Sequence, residues 1–190
     1  KAANVYQRLL APELEGELSK RERVEACRRL GEVLELRGDY DGALDALSDG
    51  SATAYTEDGL RGESAALFAA TASIYYQTGR YDDAIGFCEV GLRLLVGISE
   101  GVESARVRTV LGHSRLALGE PTESAQEFEQ ALAIHRRLAS ETGVAEALRN
   151  LGLVALKQGR LDEAVSRFER AVERETSLGH AGGVALASRR

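Results

Sequence analysis

Gly159-Arg160-Leu161-Asp162-Glu163-Ala164 is a helix stop, a turn and a helix start compressed into six residues, and the chain writes it four times. The other copies are Gly38-Asp39-Tyr40-Asp41-Gly42-Ala43, Gly79-Arg80-Tyr81-Asp82-Asp83-Ala84 and Gly119-Glu120-Pro121-Thr122-Glu123-Ser124. Their leading glycines stand 41, 40 and 40 residues apart. A residue without a Cβ adopts the left-handed backbone just past a helix end at least cost, so each Gly reads as a terminator. Asp41, Asp82, Thr122 and Asp162 read as N-caps of the helix that follows. Tyr40, Tyr81, Pro121 and Leu161 precede them, where apolar side chains staple the entry of the chain. Asp83, Glu123 and Glu163 put negative charge in the first turn, which the helix dipole favours. Ala43, Ala84, Ser124 and Ala164 are small, as close approach of two antiparallel helices requires.

Working outward, Leu30-Gly31, Leu111-Gly112 and Leu151-Gly152 precede three of the turns by about two helical turns, and Thr71-Ala72 takes that place in the remaining copy. On the other side, Ala84, Ile85, Cys88, Gly91, Leu92 and Leu95 form a stripe with the 3.6-residue period of a one-sided helix. The stripe recurs as Ser124, Ala125, Phe128, Ala131, Leu132 and His135, and as Ala164, Val165, Phe168, Ala171 and Val172. In the first copy it keeps Ala43, Leu44 and Leu47 and then weakens at Asp49-Gly50-Ser51, predicting a frayed or bent helix there. The pattern is a helix–turn–helix unit repeated four times, and a fixed period of this length is the signature of a stacked array.

The composition excludes several function classes. The 190 residues carry a formal charge of −6, which argues against nucleic acid and against a basic membrane-surface helix as the main partner. No apolar run approaches the roughly 20 residues that span a bilayer. Two Pro against abundant Ala and Leu favour an all-α chain. Lysine occurs only at Lys1, Lys20 and Lys157 while arginine is plentiful, which reads as the codon bias of a GC-rich genome. Cys27 and Cys88 fall at apolar helical positions without a CxxC or Cys/His cluster, predicting buried free thiols and a reducing, cytoplasmic setting. The chain begins Lys1-Ala2-Ala3-Asn4, without an initiator Met or a leader-like apolar segment, and reads as a piece of a longer protein.

Catalytic chemistry finds no foothold. No Lys follows a GxxxxG, the three histidines His113, His135 and His180 have no ligand-spaced partners, and the acid pairs Asp82-Asp83 and Asp162-Glu163 belong to helix starts. The expectation is therefore no enzyme, no metal and no cofactor. An enzyme would need convergent acids or histidines in a deep pocket.

The units resemble the tetratricopeptide repeat family, whose Leu-Gly, mid-turn Gly, small, aromatic and small positions stand here as Leu151-Gly152, Gly159, Ala164, Phe168 and Ala171. The period of about 40 residues exceeds the common 34 and resembles the long-repeat subgroup of kinesin light chains, polarity adaptors and bacterial ATPase-linked regulators. The usual first-helix Trp is replaced by Cys27, Phe68, Arg108 and Leu148. The resemblance implies an all-α, right-handed α-α superhelix of antiparallel helix pairs. Residues 21–59, 60–99, 100–140 and 141–179 form the four repeats. Residues 1–20 hold part of a preceding repeat and a linker, and 180–190 the start of a following one.

The family's groove positions, carried over one by one, fall on the first helices. They are Glu25, Arg28, Glu32 and Glu35; Ala66, Ala69, Ser73 and Tyr76; Arg106, Thr109, His113 and Leu116; and Glu146, Arg149, Asn150, Leu153 and Lys157. The implied function is protein or peptide binding in the interaction or sensor region of a larger signalling protein. Asn150 would hydrogen-bond a peptide backbone, as an amide offers both donor and acceptor. Arg106 and Arg149 would grip carboxylates, unless they are solvated or locally paired, as in Glu146–Arg149. The Ala66–Ala70 run is either tight helix packing or a shaped pocket. The alternative function is self-association through the apolar repeat ends, giving a homo-oligomer or an autoinhibitory element.

Overall fold

The computed structural model describes residues 2–11, 17–55, 57–98 and 101–187. The described residues form helices and no strand: α1 Ala2–Leu9, α2 Lys20–Glu35, α3 Tyr40–Tyr55, α4 Arg61–Gln77, α5 Tyr81–Leu94, α6 Val102–Ala117, α7 Pro121–Arg137, α8 Glu141–Lys157 and α9 Leu161–Ala187. A 3-10 turn, Asp58–Leu60, leads into α4. The expected linker around 12–16, the boundary at 99–100 and the last three residues lie outside the described set.

The four glycine turns close alike. Gly38, Gly79, Gly119 and Gly159 have φ of 74°, 78°, 81° and 73°. At each, the next N–H reaches back to the carbonyl five residues earlier while the glycine N–H bonds three residues back. Examples are Arg80 N to Tyr75 O at 2.8 Å with Gly79 N to Tyr76 O at 3.1 Å, and Arg160 N to Ala155 O at 2.9 Å with Gly159 N to Leu156 O at 3.1 Å. This paired closure satisfies carbonyls that a helix end leaves orphaned. The new helix then starts one residue earlier than the sequence predicts. Tyr40, Tyr81, Pro121 and Leu161 are already helical, so Asp41, Asp82, Thr122 and Asp162 sit in the first turn and not at the N-cap. Acids suit both places, and Pro is favoured as a first helical residue. Asp39 does the capping in the first copy, its Oδ1 accepting from Gly42 N at 3.2 Å.

Each turn folds its second helix back on its first, and α2 with α3, α4 with α5, α6 with α7 and α8 with α9 are the most heavily packed pairs. The Leu-Gly motif sets how near they come. A Cβ on Gly31 would lie 2.7 Å from Leu47 Cγ, on Gly112 2.7 Å from Phe128 Cε1, and on Gly152 2.7 Å from Phe168 Cε1. The glycine is the hole into which the partner's large side chain fits. Where Ala72 replaces Gly, the residue at the same register is the small Cys88, and both are fully buried.

The chain divides into two compact units, residues 1–99 and 100–190. The core of the first is built on Val24, Leu30, Leu34, Leu47, Leu67 and Ile74. That of the second is built on Phe128, Leu132, Val144, Leu148, Leu151 and Val154. Cys27 and Cys88 are buried and form no disulfide, and burial pushes the Cys27 thiol up to about 11. Helix α3 runs through Gly50 without a break, so the expected fraying there is not seen. A Cβ there would meet Cys27 Cβ at 2.9 Å and Leu67 Cδ2 at 3.0 Å, so this glycine is another packing notch. Residues 183–187, expected to open a further first helix, continue α9 without a break.

Candidate functional site

In the second unit the expected groove residues lie on α6 and α8. Val102, Arg106, Thr109 and Val110 of α6, His135 of α7 and Glu146 of α8 line an open cleft of about 310 Å³. Valines give it an apolar wall, and Arg106 and Glu146 give it one charge of each sign. Arg106 Nε stands 3.8 Å from Glu103 Oε2, one turn back on its own helix. Thr109 Oγ1 donates to Ala105 O at 3.0 Å, a bond within the helix. His113 sets its ring edgewise on Phe128 with centroids 5.1 Å apart, and burial, then the nearby Arg149 cation, push its pKa down.

His135 owes its position to Gly143. A Cβ on Gly143 would fall 2.1 Å from Nδ1, so only a glycine lets the imidazole lie on the start of α8. That nitrogen is buried without a hydrogen-bond partner. Burial lowers the His135 pKa while Glu146 partly restores it.

On α8, Arg149 is half exposed and bonds Glu175 Oε1 of α9 at 2.8 Å, so its ion pair is with the second helix and not with Glu146. Asn150 is 4% exposed, and its Nδ2 finds no acceptor. A buried unpaired amide donor costs on the order of 1–3 kcal/mol. Leu153 and Lys157 continue the exposed side of the helix, and Leu116 of α6 packs partly buried against the core.

In the first unit the corresponding faces are on α2 and α4. Ala69 is 1% exposed and Ala66 and Ala70 are buried with it, so the alanine run packs helices together. Ser73 and Tyr76 are half-buried. Arg28 is buried between Glu25 and Glu32, with its Nη2 2.6 Å from Glu25 Oε1. Glu35 reaches α4, where Ser73 Oγ donates to its Oε1 at 2.7 Å and Gln77 Nε2 donates to the same oxygen. Tyr40 Oη completes the chain by donating to Gln77 Oε1 at 3.3 Å.

Gln77 was not legible in the sequence because it ends its helix two residues before the turn motif and carries no charge. Arg108–Glu127, a largely buried pair at 2.8 Å linking α6 to α7, was not legible either. A charged residue at the position of the family's Trp was the available signal.

Among the described residues no group of three or more His, Cys, Asp or Glu side chains is placed to hold a metal ion, and no helix is long and apolar enough to cross a membrane. What the molecule offers is helix faces. Helix pairs closed by one recurring glycine turn and locked by one recurring glycine notch define an all-α helical-repeat protein. The chain belongs to the tetratricopeptide-repeat family, whose profiles match residues 24–48, 66–97 and 103–176.

Solved structures agree on the fold, that of an α-α superhelix. The chain is similar to BtubC (BKLC) from P. vanneervenii, with 19% identity and a TM-score of 0.75 over 93% of this chain and 72% of that one. It is also similar to a Podosopora anserina putative kinesin light chain with nearly identical TPR-like repeats, at 17% identity and a TM-score of 0.67 over 94% and 87%. A third is the Rap conjugation gene regulator of plasmid pLS20 in complex with the Phr* peptide, at 15% identity and a TM-score of 0.80 over 93% of this chain and 48% of that one. The chain thus spans about half of that regulator. No curated protein sequence matches it.

Proposed function

We propose that the chain is a peptide-binding scaffold that receives an extended segment of a partner protein on its first-helix faces, as part of a larger bacterial, cytoplasmic signalling protein. The observation that carries this reading is the cleft between α6 and α8, whose lining includes the groove positions Arg106, Thr109 and Glu146. Its volume takes one or two side chains, and its mixed lining suits a segment with an aliphatic residue beside a polar one. Asn150 supports it, because a peptide carbonyl would supply the acceptor that its buried Nδ2 lacks once the amide turns outward. The Rap regulator that shares this fold holds a peptide. In this reading His113, Arg149, Leu153 and Lys157 extend the contact along the second unit, and Ser73 and Tyr76 contribute in the first. Ala69 serves by letting helices approach.

The test is selection of binders from a displayed random-peptide library, followed by affinity measurement on wild type, Arg106→Glu and Arg149→Glu/Asn150→Ala. A loss of about tenfold or more in either variant, with helicity intact, is the expected result. Selected peptides that bind all three proteins equally would refute the groove.

Self-association keeps one observation of its own. Val165 and Val172 on α9 are 55% and 59% exposed and flank Phe168 in an apolar hollow. Light scattering at rising concentration, with Val165→Glu as control, tests whether that face joins copies. A constant monomer mass would dismiss it.

A further inference from the structure

The carboxylates of α2 are not equivalent. Glu22 closes the capping box with Ser19, and Glu25 and Glu32 each hold arginines of their own helix. Glu35 has neither an arginine nor a capping role: its partners are the neutral side chains of Ser73 and Gln77. It is half-buried, and both of its hydrogen bonds, from Ser73 and Gln77, arrive at Oε1. Burial, with Glu32 adding repulsion, raises its pKa above the ordinary carboxylate value. A glutamine at this position would accept the same two bonds through its own Oε1 and tie α2 to α4 without desolvating a charge. The tie therefore accounts for the side chain's length and its oxygen, and leaves its charge to be explained.

The surroundings supply the explanation. Ser73, Tyr76 and Gln77 are spaced i, i+3 and i+4 on α4 and share the face that meets Glu35. Ser73 and Gln77 both donate to one carboxylate oxygen, Oε1, and so fix the group's orientation. Tyr76 brings an aromatic ring, half-buried and tilted against Tyr81 with centroids 5.7 Å apart. A carboxylate oriented by neutral donors, on a helix face that also carries an aromatic residue, is the chemistry that receives an ammonium or guanidinium.

We infer that Glu35, held by Ser73 and Gln77 with Tyr76 alongside, is a receptor for a cationic side chain, lysine or arginine, of a bound peptide. The inference rests on the peptide-binding reading only for the source of the cation. The arrangement itself belongs to the first unit, whereas the groove test acts on the second.

The experiment uses two short peptides on the intact chain: acetyl-Gly-Lys-Gly-amide and its norleucine isostere, which has the same stem and no charge. The side-chain amide of Gln77 and the backbone amide of Ser73 report binding as NMR shift changes. The lysine peptide is expected to shift both signals saturably, and norleucine to bind about fivefold more weakly or not at all. Glu35→Gln keeps the hydrogen bonds and should abolish the lysine preference. Ser73→Ala keeps the charge, and should retain it if Glu35→Gln fails to fold. Equal shifts with both peptides, or a lysine preference that survives Glu35→Gln, would overturn the site. A lysine effect here, with library peptides indifferent to Arg106→Glu, would reject the second-unit groove while leaving this site standing.

Discussion

At the scale of single residues the fold turns on glycines of two different kinds. Gly38, Gly79, Gly119 and Gly159 need their positive φ, and nothing crowds the place of their missing Cβ. Gly31, Gly112 and Gly152 are helical, and what they need is space for Leu47, Phe128 and Phe168. A methyl added to Gly112 meets a ring that is fully buried and cannot swing away. Overpacking of this sort costs about 1–3 kcal/mol, so Gly112→Ala should lower the urea midpoint accordingly. The Ala72/Cys88 pair shows how the chain accommodates that methyl, by shrinking the partner. Gly112→Ala/Phe128→Cys should therefore be less destabilised than the sum of its single variants. Additive losses in that double-mutant cycle would show that the notch and ring are not coupled.

At the scale of helices and turns, one junction departs from the rule. Between α7 and α8 the chain closes as at the glycine turns, with Ser140 N donating to His135 O at 2.9 Å and Ala139 N to Arg136 O at 3.1 Å. The residue in the left-handed region, however, is Ala139, at φ 51°. A Cβ in that region costs roughly 1–2 kcal/mol, part of which glycine gives back through its greater freedom when unfolded. Ala139→Gly should thus stabilise the chain by up to about 1 kcal/mol, read as a rise in thermal midpoint, and a fall would mean that the turn carries no strain. The same level explains what was legible in the sequence. Turn chemistry and stripe period gave the helix pairs, because Gly, Asp and Pro act locally. The one-residue offset at Asp41, Asp82, Thr122 and Asp162 was not legible, since an acid serves a cap and a first turn alike. The continuity of α3 was missed because Gly50 looks like a breaker until Cys27 and Leu67 are seen against it. Asn150 could be placed on the right helix from spacing, but its burial depends on what packs over it. Arg149 found a partner on α9, 26 residues away, where local spacing pointed to Glu146.

At the scale of the molecule the two units should respond to acid in opposite ways. All three histidines of the chain fall within residues 100–190. His113 and His135 have pKa values pushed down in the fold, chiefly by burial. For a base with a lowered pKa, the unfolded chain binds the proton first, so stability is complete above the unfolded value of about 6.5 and declines as pH falls below it. His113 should dominate, being the more deeply held, with a limiting slope of about 1.4 kcal/mol per pH unit. In residues 1–99 the corresponding group is Glu35, whose pKa is raised by burial. The folded state there binds the proton first, so this group adds stability as pH falls through its raised folded value, a gain complete at the ordinary carboxylate value. Amide hydrogen exchange at pH 7 and pH 5.5, corrected for intrinsic rate, separates the two. Protection should fall in α6–α8 and hold or rise in α2–α4. His113→Leu should flatten the response of the second unit, and Glu35→Gln that of the first. Equal loss of protection in both units would mean that general charge repulsion outweighs these buried groups, whereas opposite signs would trace the acid response to one carboxylate and two imidazoles.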